Sequence, residues 1–189
     1  MTTAATIEGP VLVSTPSATY LVAEGEGDPR SLEFHQAASV VRAVAETARL
    51  QLELEGTRMP PPSLEAQWWR EDDVSYETPS TEHSHWKVLL PVPPDVDGPL
   101  VRLIKDSLVK GRHLDEAADV RLEEIPGGKC VQAFHVGPYS DLPDTLARIH
   151  AFMLEAHMQP AGPRHEIYLS EIGRTDPQRQ LTLILQPVR

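Results

Sequence analysis

LVAEGEGDP at Leu21–Pro29 and VQAFHVGPY at Val131–Tyr139 are two readings of one pattern, an apolar strand running into a glycine turn. After the first come a long helical stretch, the turn Pro60-Pro61-Pro62, the strand-like EAQWWRE and finally WKVLLPV. After the second come another helical stretch, an AGP turn, the strand-like HEIYLSE and finally LTLILQPV. Each half reads strand, glycine turn, helix, turn, strand, strand, and an internal repeat on this scale decides the whole fold. The expected class is α+β: two fused β-α-β-β repeats with mainly antiparallel sheets. Such units pack side by side about a pseudo-twofold axis, which predicts a ligand cleft at their junction.

Composition narrows the function classes. A chain of 189 residues with 40% hydrophobic and 24% charged residues is long enough to bury a core as one domain or two small fused ones. Lys plus Arg number 17 against 28 Asp plus Glu, a net charge of −11. An acidic surface repels phosphate backbones, so nucleic acid is not an expected partner. The single cysteine, Cys130, rules out an intramolecular disulfide, and the first basic residue is Arg30, so no secretory leader is expected. No apolar run approaches the roughly 20 residues needed to span a bilayer. The expectation is a soluble cytoplasmic protein without a membrane partner, its oligomeric state left open.

Punctuation along the chain divides it further. Residues 1–17 lack periodicity and read as a flexible N-terminal arm, too short for a helix-turn-helix domain. Repeat one spans 18–98, a bridging helix 99–112, and repeat two 113–189. Asp28-Pro29 reads as a helix cap followed by proline at the first helical position. Val41, Val44, Ala48 and Leu52 then recur at helical spacing up to the stop at Gly56. Leu64–Arg70 and Trp86–Val92 are the next strands, joined by the polar loop Glu71–His85. Ala118–Ile125 alternates as an edge strand and pairs with Lys129–Val136 through Gly127-Gly128. Helix two covers Leu142–His157, and His165–Ser170 and Leu181–Leu185 close the repeat.

Side chains alternate across a strand, so His165, Ile167 and Leu169 share one face and Glu166, Tyr168 and Ser170 the other. Ile167 and Leu169 read as the core face, which sends Glu166 and Tyr168 to the opposite one, into the cleft. A carboxylate beside a phenol, walled by aromatic rings, can hold a cation or position a water and a proton donor. An exposed sheet face is the structural alternative. Trp68 and Trp69 occupy the matching strand of repeat one and point to opposite faces; matching WWRE with YLSE sets Trp68 against Tyr168, and a shift of one residue selects Trp69. Tyr139 follows the HVGP turn and can reach the cleft mouth, or simply pack over that turn. His135, on the strand leading into it, joins the ligand-binding candidates.

Other constellations are weaker. His83-x-His85 has no partner pair at a metal-ligand spacing, so no metal is expected. Cys130 with His135 matches a nucleophile and base only in inventory, and a buried strand cysteine is the simpler reading. GEGDP lacks the Lys and Ser/Thr of a phosphate loop, and no cofactor is expected.

Taken in order, GGKCVQAFHVGPYSDL, AGPRHEIYLS and LILQPV strongly resemble the GyrI-like small-molecule-binding superfamily. LVAEGEGDP, QWWRED and WKVLLPVP look like its stand-alone subgroup, and the resemblance covers nearly the whole chain from about Tyr20. It implies two fused (SHS2-like) repeats around a ligand cleft, taking a planar aromatic or cationic small molecule. It also implies roles: the family's acidic residue falls on Glu166, its tyrosine on Tyr168, its tryptophan pair on Trp68 and Trp69, and the GPY tyrosine on Tyr139. Some stand-alone members that this chain resembles hydrolyse the cyclopropane of DNA-alkylating natural products, which implies a detoxifying hydrolase. Glu166 would then activate water, and Tyr168 or Tyr139 would stabilise the developing oxyanion. The alternative is a non-catalytic, sequestering multidrug binder of aromatic cations using the same residues. A third reading, inhibition of a DNA-handling enzyme, has only the net charge and the superfamily's name behind it.

Overall fold

The computed structural model describes residues 9–59, 61–70, 84–170 and 175–189. His83 and most of the Glu71–His85 loop lie outside them. The strands are β1 (Val11–Thr15), β2 (Ala18–Glu26), β3 (Glu65–Trp69), β4 (His85–Val92), β5 (Arg121–Ile125), β6 (Gly128–Val136), β7 (Arg164–Tyr168) and β8 (Leu181–Pro187). The helices are α1 (Leu32–Leu54), α2 (Gly98–Arg112) and α3 (Leu142–Glu155). The class is α+β, the strand pairings within each repeat are antiparallel, and the order β-α-β-β occurs twice, as β2-α1-β3-β4 and β6-α3-β7-β8. No described helix is long and apolar enough to cross a membrane.

Two compact units result. The N-terminal unit takes Pro16–Arg70 with residues 84–127, and the C-terminal unit takes Gly128–Arg189 with β1. Repeat two was expected to begin at 113, but α2 packs on α1 and β5 pairs with β2, so both elements belong to the N-terminal unit. The expected hairpin between β5 and β6 does not form. A tight two-residue hairpin turn needs positive φ, and the described glycines with positive φ are Gly27, Gly56 and Gly137, not Gly127 or Gly128. The chain therefore passes from β5 of the N-terminal unit to β6 of the C-terminal unit without the two strands pairing. The vacant edge of β6 is filled by β1, from Val11 opposite Gln132 to Thr15 opposite Gly128. Part of the expected arm is thus a strand.

In the N-terminal unit the strand order is β3-β4-β2-β5. Helix α1 starts at Ser31, whose Oγ accepts from the Phe34 amide at 3.2 Å, and not at Asp28. The Asp28 carboxylate is already engaged by the amide and guanidinium of Arg30. At the other end Thr57 donates to the Leu52 carbonyl (2.8 Å) and Gly56 to that of Glu53 (3.1 Å), with Gly56 at φ 88°, a Schellman stop. The stripe Val41, Val44, Ala48 and Leu52 is buried as its spacing predicts. Phe34 stacks on Trp68 at 5.2 Å and meets Trp86 edge-on at 5.4 Å, forming an aromatic core.

The C-terminal unit orders its strands β1-β6-β8-β7. Val131, Ala133, Leu142, Leu146, Ile149, Met153, Ile184 and Val188 pack between α3 and the sheet. Leu142 at the start of α3 is fully buried in this core, whereas Leu154 near its end is exposed.

Register shows how the two repeats correspond. Aligning the closing strands WKVLLPV (86–92) and TLILQPV (182–188) sets Val88 with Ile184. Ala66 lies opposite Val88 and Glu166 opposite Ile184; Trp68 lies opposite Trp86 and Tyr168 opposite Thr182. Likewise Gly25 lies opposite Trp86 and His135 opposite Thr182. The same frame carries Leu64, Ala66, Trp68 and Gly25 in one repeat and Arg164, Glu166, Tyr168 and His135 in the other. Of the two alignments offered by the sequence, the one placing Trp68 against Tyr168 is the structural one.

Gly25 is required by this filling. A Cβ there would stand 2.5 Å from Trp86 Cζ2. Gly25→Ala is expected to cost about 1–3 kcal/mol through overpacking, read by urea denaturation. Leu142→Ala, emptying a fully buried site beneath α3, is expected to cost about 2–5 kcal/mol by the same measurement.

Candidate functional site

The chemistry gathers on β7. Arg164, Glu166 and Tyr168 alternate onto one face of that strand, and Glu166 faces the same way as its partner Ile184, a member of the core beneath α3. This reverses the expected orientation: Glu166 and Tyr168 are buried on the helix side, whereas Leu169 is 45% exposed. A buried carboxylate is tolerated only when paired and hydrogen-bonded, and here it is both.

Glu166 has 0% exposure, and Arg164 Nε donates to its Oε1 at 2.9 Å, forming an ion pair. Tyr139 Oη donates to the same oxygen at 3.3 Å, and Tyr168 Oη donates to Oε2 at 3.0 Å. A carboxylate has about four lone-pair sites. Among the described residues three donors occupy it, two on Oε1 and one on Oε2. Burial and then the Glu166 charge push the Tyr139 phenol well above its usual range, so it stays a donor. Burial works against the Arg164 charge, but Glu166 outweighs it and holds the guanidinium protonated.

Tyr139 reaches Glu166 because the preceding turn is pinned. His135 Nε2 lies 3.1 Å from the Pro138 carbonyl, which only accepts, so Nε2 carries the proton. Its Nδ1 lies 3.0 Å from Thr145 Oγ1 in α3, and Arg148 Nη2 donates to that same hydroxyl at 3.0 Å. Gly137, at φ 122°, supplies the bend between them. His135 is 3% exposed, with both ring nitrogens engaged, so it anchors the turn.

Of the residues singled out from sequence, Glu166, Tyr168 and Tyr139 meet in one cluster, with His135 supporting it. Trp68 and Trp69 belong to the N-terminal unit. Trp68 is 5% exposed inside its aromatic core, and Trp69 stacks on His85 at 5.5 Å. Cys130 and His135 face opposite sides of β6, and burial pushes the thiol upward, away from thiolate character. Among the described residues no three His, Cys, Asp or Glu side chains could hold a metal ion. Sequence reasoning missed Arg164 by starting the strand at His165. The available signal was an arginine two residues before Glu166, a spacing that puts both on one face.

Residues 101–189 match the family model described as GyrI-like small molecule binding domain. A search among curated proteins finds no match. A solved structure of an uncharacterized conserved protein from Listeria innocua is 28% identical, with a TM-score of 0.86 over 98% of this chain and 94% of that one. A hydrolase from Listeria innocua is 26% identical, with a TM-score of 0.84 over 98% and 94%. The EcmrR C-terminal domain shares the fold at 12% identity, with a TM-score of 0.63 over 95% and 96%. The matched residues, similar to the GyrI-like small molecule binding domain, include the whole Glu166 cluster.

Proposed function

We propose that this protein is a hydrolase that adds water to the strained cyclopropane of planar, DNA-alkylating small molecules. The observation that carries the reading is Glu166: a fully buried carboxylate, oriented by Arg164, with two phenol hydroxyls on it. The hydrolase from Listeria innocua, alike over nearly its whole length, supports the reaction class.

Each partner takes one role. Glu166 Oε2 accepts a proton from water as its oxygen bonds to a cyclopropane carbon and the ring C–C bond breaks. The electron pair moves through the conjugated ring to the distant carbonyl oxygen. Tyr168 or Tyr139 turns its single hydroxyl proton from Glu166 to that oxygen as charge develops. The proton held by Glu166 then passes to the product, so the net change is addition of one water. The reading uses Arg164, Glu166, Tyr139 and Tyr168 alone.

The ion pair also weighs against the sequestering alternative. A lone buried carboxylate would attract an aromatic cation, but Arg164 already neutralises Glu166 at 2.9 Å. A neutral electrophile suits this balance better than a cation does.

Glu166→Gln is expected to lower turnover of a cyclopropane-bearing alkylator roughly a hundred- to ten-thousand-fold, the usual contribution of general base catalysis, as followed by appearance of the ring-opened hydrate. Unchanged turnover refutes the assignment. Tight binding of a rhodamine dye with no hydrate formed would favour sequestration instead. Arg164→Met is expected to destabilise the fold by about 3–5 kcal/mol, because it leaves a buried charge unpaired. Adding Glu166→Gln to it should recover much of that stability without recovering turnover, read by thermal melts and product assay. Because the Tyr139 phenol is raised, its contribution to stability is intact below the ordinary phenol value near 10 and declines as pH rises beyond it. Tyr139→Phe should remove that alkaline loss in a stability-versus-pH series.

A further inference from the structure

Two phenols share Glu166, and each has a single hydroxyl proton to give. The one that serves a substrate oxygen must leave the carboxylate, and the two departures cost different amounts. Tyr139 donates to Oε1 at 3.3 Å, where Arg164 Nε already donates at 2.9 Å. The Arg164 bond is shorter and joins two charges, so it is the stronger of the pair. Once Tyr139 turns away, Oε1 keeps Arg164 and Oε2 keeps Tyr168, one described donor on each oxygen. Were Tyr168 to turn away, Oε2 would lose the one donor it has among the described residues. A buried acceptor stripped of its partner is costly.

Burial and backbone agree with that difference. Tyr168 lies within β7 and is 9% exposed, whereas Tyr139 is only partly buried and is carried on the 3₁₀ turn Tyr139–Asp141. The less enclosed ring is the easier one for a ligand to reach. Its turn is held at the start. The Pro138 carbonyl accepts from His135 Nε2 at 3.1 Å and from the Asp141 amide at 2.9 Å, and the Gly137 amide donates to the Gln180 carbonyl at 2.9 Å. The ring therefore stays in place while its hydroxyl hydrogen swings about the C–O bond. Of the two phenols, Tyr139 is also the one coupled more strongly to the Arg164 guanidinium. A cation beside the donor favours negative charge developing there.

Within the hydrolytic reading above, on which this assignment rests, we propose that Tyr139 is the catalytic donor to the substrate's carbonyl oxygen, while Tyr168 is a positioning residue that stays on Oε2 and aims the base. Tyr139 keeps its proton throughout. As the ring C–C bond breaks, its hydrogen bond passes from Glu166 Oε1 to the oxygen that receives the electron pair.

Tyr139→Phe is expected to lower kcat for a cyclopropane-bearing alkylator about a hundredfold, with KM changed little. Fluorinated tyrosines, which are more acidic phenols and stronger donors, separate the two roles by direction. At position 139 they should raise kcat, because the bond to the developing oxyanion strengthens. At position 168 they should lower it, because Oε2 is held more tightly and takes a proton less readily. Opposite directions, or an indifferent rate at position 139, overturn the assignment. A second measurement needs no turnover. Calorimetric titration with the ring-opened hydrate, whose phenol carries the same oxygen, should show about tenfold weaker binding to Tyr139→Phe. Equal affinity there, or no binding by the unsubstituted protein, overturns the assignment as well. Hydrate that binds through Tyr139 but never forms from the alkylator supports Tyr139 as the ligand's donor and defeats the hydrolytic reading alone.

Discussion

The constraint on which the C-terminal unit depends is the cost of burying Glu166. A carboxylate withdrawn wholly from water is strongly unfavourable unless its charge and lone pairs are answered. Arg164 answers the charge, and Tyr139 and Tyr168 answer the lone pairs. That need reaches outward, because Tyr139 is held in place only if the turn before it is fixed. His135, Thr145 and Arg148 do the fixing. One buried charge thus couples a strand, a turn and a helix, and it holds the acid in a single orientation before any ligand arrives. Rigid, pre-oriented groups of this kind are what catalytic positioning requires.

The two repeats show what the same backbone does without that charge. In the N-terminal unit Ala66 stands where Glu166 does, and Leu64 and Trp68 replace Arg164 and Tyr168. The space is filled by stacked Phe34, Trp68 and Trp86, with Gly25 yielding room to the indole. The N-terminal unit has the ordinary solution, an aromatic core, and the C-terminal unit the expensive one, a polar centre. The stretch similar to the family model, residues 101–189, contains that polar centre.

Much of the fold was legible because hydrophobic period and turn chemistry agree over long stretches. The α1 stripe and the twofold β-α-β-β order were read directly from residues such as Val41, Val44, Ala48 and Leu52. Three readings failed for definable reasons. Gly127-Gly128 resembles a hairpin signal, but neither glycine has positive φ, and strand exchange with β1 is a non-local choice that no local signal records. Asp28 is a good cap in isolation, yet Arg30 occupies its carboxylate and Ser31 caps instead. The face of β7 was inverted because alternation rules place Ile167 and Leu169 inside and a glutamate outside. Only the presence of Arg164 two residues earlier, with distant Tyr139, makes the reverse stable. The residues of the site were therefore readable as a list, while their burial was not.

The most direct check of the central claim is a crystal structure of the protein soaked with the ring-opened hydrate of a cyclopropane alkylator. The account predicts the product's new hydroxyl within hydrogen-bond distance of Glu166 Oε2, with the Arg164 contact to Oε1 retained. Product bound elsewhere, with Glu166 still enclosed by Arg164, Tyr139 and Tyr168 and out of its reach, would contradict it.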